Sequence, residues 1–176
     1  ELFEKNWKGC PYPLYIVDNE KELNYNKKYN AKVLHAGKDA EYSRKVQLAV
    51  NSIDADYYLL LLEDFFIGEP LKKDCLNRLL NVIEQKHIKY YRMPMPEFTP
   101  FRLKGKRIKI HPQMEYTVSC QPSIWKREFL KECIGAENYN AWIFEGIYTK
   151  SRKAHTVDFL RGCYSDYTNI LHLYHG

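Results

Sequence analysis

Apolar residues recur every three or four positions in several parts of the chain, which is the spacing of a helix with one buried face. The first such stretch follows Asp39, a residue type that caps helices well, and the third stops at Gly135, which favours a helix end. The pattern predicts helices over 39–53, 71–86 and 126–134, and a short fourth helix capped by Asn140.

Strands are indicated by short apolar runs between these helices. The clearest run covers 57–62, where six apolar residues follow one another, and this is typical of a strand buried on both faces of a parallel sheet. Further strands are predicted over 14–17, 32–35, 87–93, 116–120, 155–160 and 168–174. Strands and helices therefore alternate along much of the chain, which predicts an α/β fold.

Residues 101–110 alternate apolar and basic side chains around Gly105, which predicts an exposed hairpin. Its basic cluster consists of Lys104, Lys106, Arg107 and Lys109. Such a cluster is typical of a solvated surface, and it also suits phosphate groups or an anionic membrane face. No repeat, low-complexity tract or linker interrupts the sequence, so we expect a single domain over 1–176.

The composition narrows the ligand class only a little. Tyr accounts for 15 of the 176 residues, and its ring and hydroxyl suit surfaces that hold sugars or bases as well as a core with polar rims. The formal net charge of +5 favours phosphate-bearing ligands, nucleic acid or an anionic membrane without choosing among them. The five cysteines contain no CxxC pair, which indicates reduced thiols in a cytoplasmic protein, and no apolar run is long enough to span a bilayer.

Two adjacent carboxylates, Glu63 and Asp64, directly follow the apolar run 57–62. Open α/β sheets bind ligands beyond the carboxyl ends of their strands, and carboxylate oxygens at such a place can hold Mg²⁺ or Mn²⁺. The cation would neutralise charge on a departing diphosphate. The two acids have a second interpretation. A strand that leaves the core and enters solvent can also end in two acidic residues that bind no metal.

Glu145 lies in the segment 142–145, where Trp and Phe surround it. Desolvation makes a carboxylate a stronger base near neutral pH, which favours Glu145 as a general base, although a solvent-facing acid on an amphipathic helix fits as well. Gln121 and Trp125 offer an amide and an indole, which orient sugars in binding sites, although a core Trp is equally consistent.

Weaker signals lie near the end of the sequence, where alternation places His172 and His175 on opposite faces of a strand. A late His can complete a metal shell, but a strand His with a satisfied hydrogen bond explains the pattern better. The motifs GxxxxGK[ST], GxGxxG, HExxH and GxSxG are absent, which argues against P-loop, Rossmann dehydrogenase, zincin and α/β-hydrolase functions.

Three segments occur together in this order: 57–66 (YYLLLLEDFF), 121–130 (QPSIWKREFL) and 141–145 (AWIFE). In combination they resemble bacterial GT-A-type glycosyltransferases of capsular and surface polysaccharide biosynthesis. Those enzymes share an apolar strand ending in acids, a Q-x-x-I-W-[KR]-x-x-[FY]-L segment, and a Trp followed three residues later by Glu. The early segment 10–15 (CPYPLY) also fits this family.

The resemblance implies a GT-A-like, Rossmann-like central mixed sheet flanked by helices, with the first nucleotide-binding strand expected upstream of Glu1. It implies a hexosyltransferase that moves a sugar from a nucleotide-diphosphate donor to a glycan or lipid-linked acceptor, in a metal-assisted, inverting reaction. Asp64 and Glu63 would hold Mn²⁺ or Mg²⁺, and Glu145 would take the proton of the acceptor hydroxyl. The expected substrate contacts are Gln121, Trp125, Trp142 and Arg92.

The resemblance also implies a cytoplasmic enzyme at the inner face of the cell membrane, with peripheral membrane contact and no nucleic-acid partner. The sequence departs from the family at the acidic motif, because the usual two Asp are separated by one residue whereas Glu63 directly precedes Asp64.

Two other functions fit parts of the sequence. A single-stranded nucleic-acid-binding module would use the basic charge and the many Tyr, but acids at the end of the central strand would repel phosphates. A metal-dependent phosphohydrolase would use the same acids, but it needs a second dense cluster of Asp and His that the sequence lacks.

Overall fold

The structure is a computed structural model, and it describes residues 2–20, 31–72, 74–149 and 156–175. The helices in these ranges are α1 (Leu2–Asn6), α2 (Tyr42–Ser52), α3 (Cys75–Gln85), α4 (Arg127–Ile134) and α5 (Ala141–Ile147). The strands are β1 (Leu14–Asp18), β2 (Ala31–His35), β3 (Tyr57–Leu60), β4 (Phe65–Ile67), β5 (Tyr90–Arg92), β6 (Arg107–Lys109), β7 (Ser123–Lys126), β8 (Cys163–Asp166) and β9 (Leu173–His175).

The central sheet has five strands in the order β3-β7-β5-β8-β6. It is mixed, because β5 and β8 run parallel whereas the other neighbouring pairs run antiparallel. Two smaller pairs accompany it, a parallel pair of β1 and β2 and an antiparallel pair of β4 and β9. The expected α/β fold with a central mixed sheet flanked by helices is therefore confirmed.

Apolar residues cover both faces of this sheet and form two cores. The first core contains Val50 of α2, Leu130 of α4 and Phe144 of α5, and the second contains Leu79 and the other inward residues of α3. Because neighbouring strand residues point to opposite faces, β5 supplies one Tyr to each core: Tyr90 to the first and Tyr91 to the second.

The helices begin and end close to the predicted positions, with two corrections at their starts. The first predicted helix begins at Tyr42 with Glu41 at its cap position, so the cap predicted at Asp39 is wrong. The second begins only at Cys75, because Asp74 before it takes a left-handed backbone conformation with φ of 63°. The third ends at Ile134 as predicted, and Gly135 follows with φ of 62°.

The apolar run 57–62 forms β3 over its first four residues, but β3 lies at an edge of the sheet and runs antiparallel to β7. The predicted parallel surroundings are therefore wrong. Both faces nevertheless contact apolar side chains, because Tyr58 and Leu60 pack in the first core whereas Tyr57 and Leu59 pack against the second. Because apolar side chains cover both faces of β3, the sequence of this strand has no polar residue between its apolar ones.

Three strand predictions fail where the hydrogen-bond partner lies far away in the sequence. Residues 101–110 form no hairpin: 101–103 is a 3₁₀ turn, and β6 pairs with β8. Residues 116–120 form no strand, and in the described part of 155–160 the chain turns before β8 begins. Of 168–174, only the last residues join a strand, β9.

The five cysteines are all free thiols, as the sequence predicts. Within the described ranges, none of the helices combines the length and the apolar character that crossing a bilayer requires.

Candidate functional site

Glu145 is presented by the short helix α5, which begins where the sequence predicts. The Asn140 side chain accepts a hydrogen bond from the backbone N–H of Ile143 at 3.0 Å, and this caps the helix. Phe144 anchors α5 in the first core, because its ring is fully buried. Glu145 is half-buried next to it, so the helix holds the carboxylate at the margin of the core.

Removing the α5 cap is expected to destabilise the protein modestly. Asn140→Ala leaves the N–H of Ile143 without its side-chain acceptor, and such changes cost about 1 kcal/mol. Urea unfolding of Asn140→Ala beside Asn51→Ala, an exposed position within α2, measures the difference. Equal unfolding free energies for the two variants would contradict the capping role.

The Glu145 carboxylate is held in place by the loop that precedes β7. Its Oε1 accepts a hydrogen bond from the backbone N–H of Cys120 at 2.8 Å. The Cys120 side chain also reaches this helix, because its Sγ lies 3.9 Å from the carbonyl oxygen of Ala141, the first residue of α5. Cys120 therefore joins this loop to α5 through both its backbone N–H and its side chain.

Burial, and then the negative charges of Glu145 and Asp64, raise the pKa of the Cys120 thiol to about 12. Burial also raises the pKa of the Tyr42 hydroxyl well above its ordinary value. The thiol and the phenol therefore stay protonated at neutral pH and are not nucleophiles there. Among Glu145, Cys120 and Tyr42, the carboxylate is the group able to accept a proton.

Asp64 lies in the turn between β3 and β4, beside the last described strand. Its Oδ2 is 3.1 Å from Nε2 of His175, because β4 and β9 pair with Phe65 opposite His175. Its Oδ1 is buried and has no hydrogen-bond partner among the described residues. A buried carboxylate oxygen without a partner is costly, and a cation would satisfy it, so the residues present fit a metal ion.

The described residues supply few side chains that could coordinate a cation at Asp64. Glu63, the other predicted ligand, is exposed, and it forms the turn before β4 together with Asp64. In the part of the chain that the structure describes, no group of three or more His, Cys, Asp or Glu comes together to hold a metal. Most ligands of a cation at Asp64 would therefore come from a diphosphate and water, which is usual for Mg²⁺.

The loop 116–121 connects the site to the sheet through buried hydrogen bonds. The backbone of Ser119 bonds the hydroxyl of Tyr90, and the backbone N–H of Thr117 donates to the carbonyl of Tyr148. The Gln121 Oε1 accepts from the backbone N–H of Met95 at 3.2 Å. These bonds replace the strand ladder expected for this segment, and they fix the N–H that holds Glu145.

Two of the four expected substrate contacts are core residues. Trp125 is only 1% exposed, and its indole N–H donates to Ser123 Oγ at 2.7 Å. Arg92 is 5% exposed, and its guanidinium donates to Ser165 Oγ and to the carbonyl of Tyr116. Burial leaves these two side chains almost no surface for a sugar, so we correct the expectation: they support the site from behind.

The other two expected contacts remain accessible. Trp142 is 82% exposed on α5, three residues before Glu145, so both side chains lie on neighbouring parts of the helix surface. Gln121 is half-buried and directly follows Cys120. An exposed indole beside a fixed carboxylate offers a stacking face to a sugar ring, and Gln121 offers an amide at its edge.

Sequence reasoning did not single out Cys120 or Tyr42, and it gave His175 only a weak role. The spacing of residues carries no signal for the first two, because Tyr42 reads as an ordinary inward residue of α2. The signal for His175 was its residue type alone, since the strand pairing that brings it to Asp64 joins distant parts of the chain.

No model of a known protein family matches the chain, and no curated protein sequence matches it. Among solved structures, the chain is similar to the crystal structure of S. aureus TarS 1-349, a glycosyltransferase, with 16% sequence identity and a TM-score of 0.44. The match covers 68% of this chain and 39% of that chain, so this chain spans well under half of TarS 1-349. A TM-score this low supports no inference about function.

Proposed function

We propose that this protein is a glycosyltransferase that moves a sugar from a nucleotide-diphosphate donor to a hydroxyl of a glycan or lipid-linked acceptor. The observation that supports it most is the Glu145 carboxylate, which the backbone N–H of Cys120 holds on the same helix as the exposed ring of Trp142. A transferase of this kind needs one carboxylate as a base for the acceptor and another at the donor diphosphate. The two acids come from separate elements, α5 and the turn before β4.

Glu145 acts as the base in this proposal. Its bond from the Cys120 N–H fixes one carboxylate oxygen, and the other is left to accept the proton of the acceptor hydroxyl as that oxygen attacks the anomeric carbon. Trp142 stacks against the acceptor sugar and orients it. Attack from the side opposite the leaving diphosphate gives an inverting reaction.

Asp64 and His175 would hold Mn²⁺ or Mg²⁺, with the diphosphate oxygens completing the coordination. The cation would supply positive charge to stabilise the leaving nucleotide diphosphate. Glu63, which is exposed, contributes negative potential near this point. We place the reaction in bacterial surface polysaccharide synthesis, at the cytoplasmic side of the membrane, on the family resemblance of 57–66, 121–130 and 141–145.

A thermal-shift screen of nucleotide sugars with and without Mn²⁺ tests this function. A ligand that binds the native state alone raises the unfolding temperature, so the correct donor should stabilise the protein and Mn²⁺ should increase that shift. Asp64→Asn should remove the Mn²⁺ increment, because the amide is a poor ligand for the cation.

The matched control is Asp54→Asn, which changes an exposed acid at the end of α2, away from β4 and β9. It should keep the Mn²⁺ increment. An increment of equal size in Asp64→Asn and the unmodified protein would refute the metal role of Asp64, and the absence of a shift with every nucleotide sugar would refute donor binding.

A further inference from the structure

A polar cavity lies between α3 and the turn that leads to β9. It has a volume of about 450 Å³, which is within the usual range of ligand sites, roughly 300–1,000 Å³. Three basic side chains line it, Lys72, Arg78 and Arg107, and Thr168 and Asn169 add polar groups. No acidic residue is among the described residues that line the cavity.

Arg107 is held rigidly at the cavity wall. Its Nε donates to Asp166 Oδ2 at 3.1 Å, and Asp166 is itself buried at the end of β8. The Asp166 carboxylate also accepts hydrogen bonds from the Tyr91 hydroxyl and from the backbone N–H of Thr168. The Asp166 carboxylate thus has three hydrogen-bond partners, and Arg107 reaches it through Nε.

Two other acids lie near the cavity: Asp74, at the cap position of α3, and Glu69, which has hydrogen-bond partners of its own. The Oε2 of Glu69 lies 3.2 Å from Nδ1 of His172, which lines the cavity, and its Oε1 accepts from the hydroxyl of Tyr174. The positive charges of Lys72 and Arg78 therefore face the cavity without an acidic side chain from its walls beside them. Uncompensated positive charge in a concave site attracts anions.

This cavity is separate from the Glu145 site. Its apolar floor includes Cys75 and Leu79, which belong to the second core, whereas α5 carries Glu145 on the face of the first core. Asp64, Cys120 and Glu145 are not among its lining residues.

We propose that this cavity binds a phosphate-bearing ligand with at least two negative charges. Arginine and lysine side chains recognise phosphate oxygens, and the fixed guanidinium of Arg107 can do so with two parallel hydrogen bonds. The apolar floor at Leu79 and Val82 suits an organic group attached to the phosphate.

The phosphate could belong to a soluble molecule or to a lipid headgroup, and a neighbouring loop makes the second source testable. Two backbone hydrogen bonds join residues 101–106 to Tyr167. The N–H of Gly105 donates to the carbonyl of Tyr167, and the N–H of Tyr167 donates to the carbonyl of Lys106. Tyr167 directly precedes Thr168 of the cavity wall. Phe101 on this loop is 89% exposed, and exposed apolar side chains beside basic residues favour binding to anionic membranes.

Binding of inorganic pyrophosphate tests the cavity, measured by isothermal titration calorimetry at low ionic strength with a metal chelator present. Lys72→Gln/Arg78→Gln should weaken binding by about tenfold or more, because two charge-assisted contacts are lost. Lys86→Gln, which changes an exposed basic residue next to α3 but outside the cavity, should stay within about twofold, as expected for a surface charge.

Co-sedimentation with vesicles separates the two sources of phosphate. If the ligand is a lipid headgroup, vesicles containing cardiolipin, whose headgroup carries two phosphates, should retain the protein and phosphatidylcholine vesicles should not. Lys72→Gln/Arg78→Gln and Phe101→Ser should each reduce that retention. If it is soluble, pyrophosphate binding should depend on Lys72 and Arg78 while retention on vesicles does not. Either result supports a phosphate site in the cavity.

The proposal is overturned if Lys72→Gln/Arg78→Gln and Lys86→Gln bind both pyrophosphate and the anionic vesicles as the unmodified protein does. It is independent of the glycosyltransferase function, because the chelator removes metal-dependent binding at Asp64. The Mn²⁺-dependent shift with a nucleotide sugar should persist in Lys72→Gln/Arg78→Gln, so failure of one proposal is distinguishable from failure of the other.

Discussion

Replacing Glu145 with Gln is expected to lower sugar transfer by about 10²–10⁴-fold, the usual contribution of a general base. The amide oxygen of Gln can still accept the hydrogen bond from the Cys120 N–H, so the loop and α5 should keep their positions. An amide cannot take up the proton of the acceptor hydroxyl. The loss should therefore fall on kcat, while the stabilisation by a nucleotide sugar stays nearly unchanged.

The control is Glu132→Gln, which makes the same change at an exposed position on α4. Transfer by this variant should match the unmodified protein. Steady-state kinetics with the donor found by thermal shift, together with donor-induced stabilisation of both variants, gives the comparison. Turnover by Glu145→Gln at the level of Glu132→Gln would rule out Glu145 as the base.

Trp125→Ala is expected to lower the free energy of unfolding by about 3–5 kcal/mol, the cost of removing a large buried side chain. The Trp125 ring packs against Tyr90 with ring centroids 4.3 Å apart and against Phe129 at 6.0 Å. The change also removes the indole N–H that donates to the Ser123 hydroxyl. Loss of the whole Trp125 ring leaves a cavity between β7 and α4, and the neighbouring aromatic rings fill it only in part.

Trp142→Ala supplies a matched control, because it removes the same side chain from an 82% exposed position. Its unfolding free energy should change by less than about 0.5 kcal/mol, as is usual at exposed surface positions. If Trp142 stacks on the acceptor, this variant should instead raise the KM for the acceptor. Urea unfolding measures the unfolding free energy of Trp125→Ala and of Trp142→Ala. Similar losses of stability in the two variants would contradict the assignment of Trp125 to the core.

Local patterns in the sequence were sufficient for much of the secondary structure. Helical hydrogen bonds and side-chain contacts join residues three or four apart, so periodicity located α2, α3 and α4, and the Asn140 cap located α5. Trp142 and Glu145 are neighbours for the same reason.

The partners of strands could not be found in this way, since those pairings join distant segments and leave no local trace. The segment 116–120 has a strand-like composition, yet its hydrogen bonds go to Tyr90, Tyr148 and Glu145. Likewise, β6 pairs with β8 and not within a hairpin. The sequence also did not decide which Trp is buried, because a short segment has no pattern that distinguishes a core Trp such as Trp125 from an exposed one such as Trp142.

The sequence by itself determined the α/β class and the positions of the helices, because residue type and short-range spacing carry that information. It also singled out Asp64 and Glu145, whose roles stay predictions. Only the tertiary structure decided that the Cys120 N–H holds Glu145, that His175 meets Asp64, and that Trp125 is enclosed whereas Trp142 is exposed. It also decided that Lys72 and Arg78 share a cavity with Arg107. Each of these depends on how separate elements pack, and packing is the sum of many weak contacts between residues far apart in the chain.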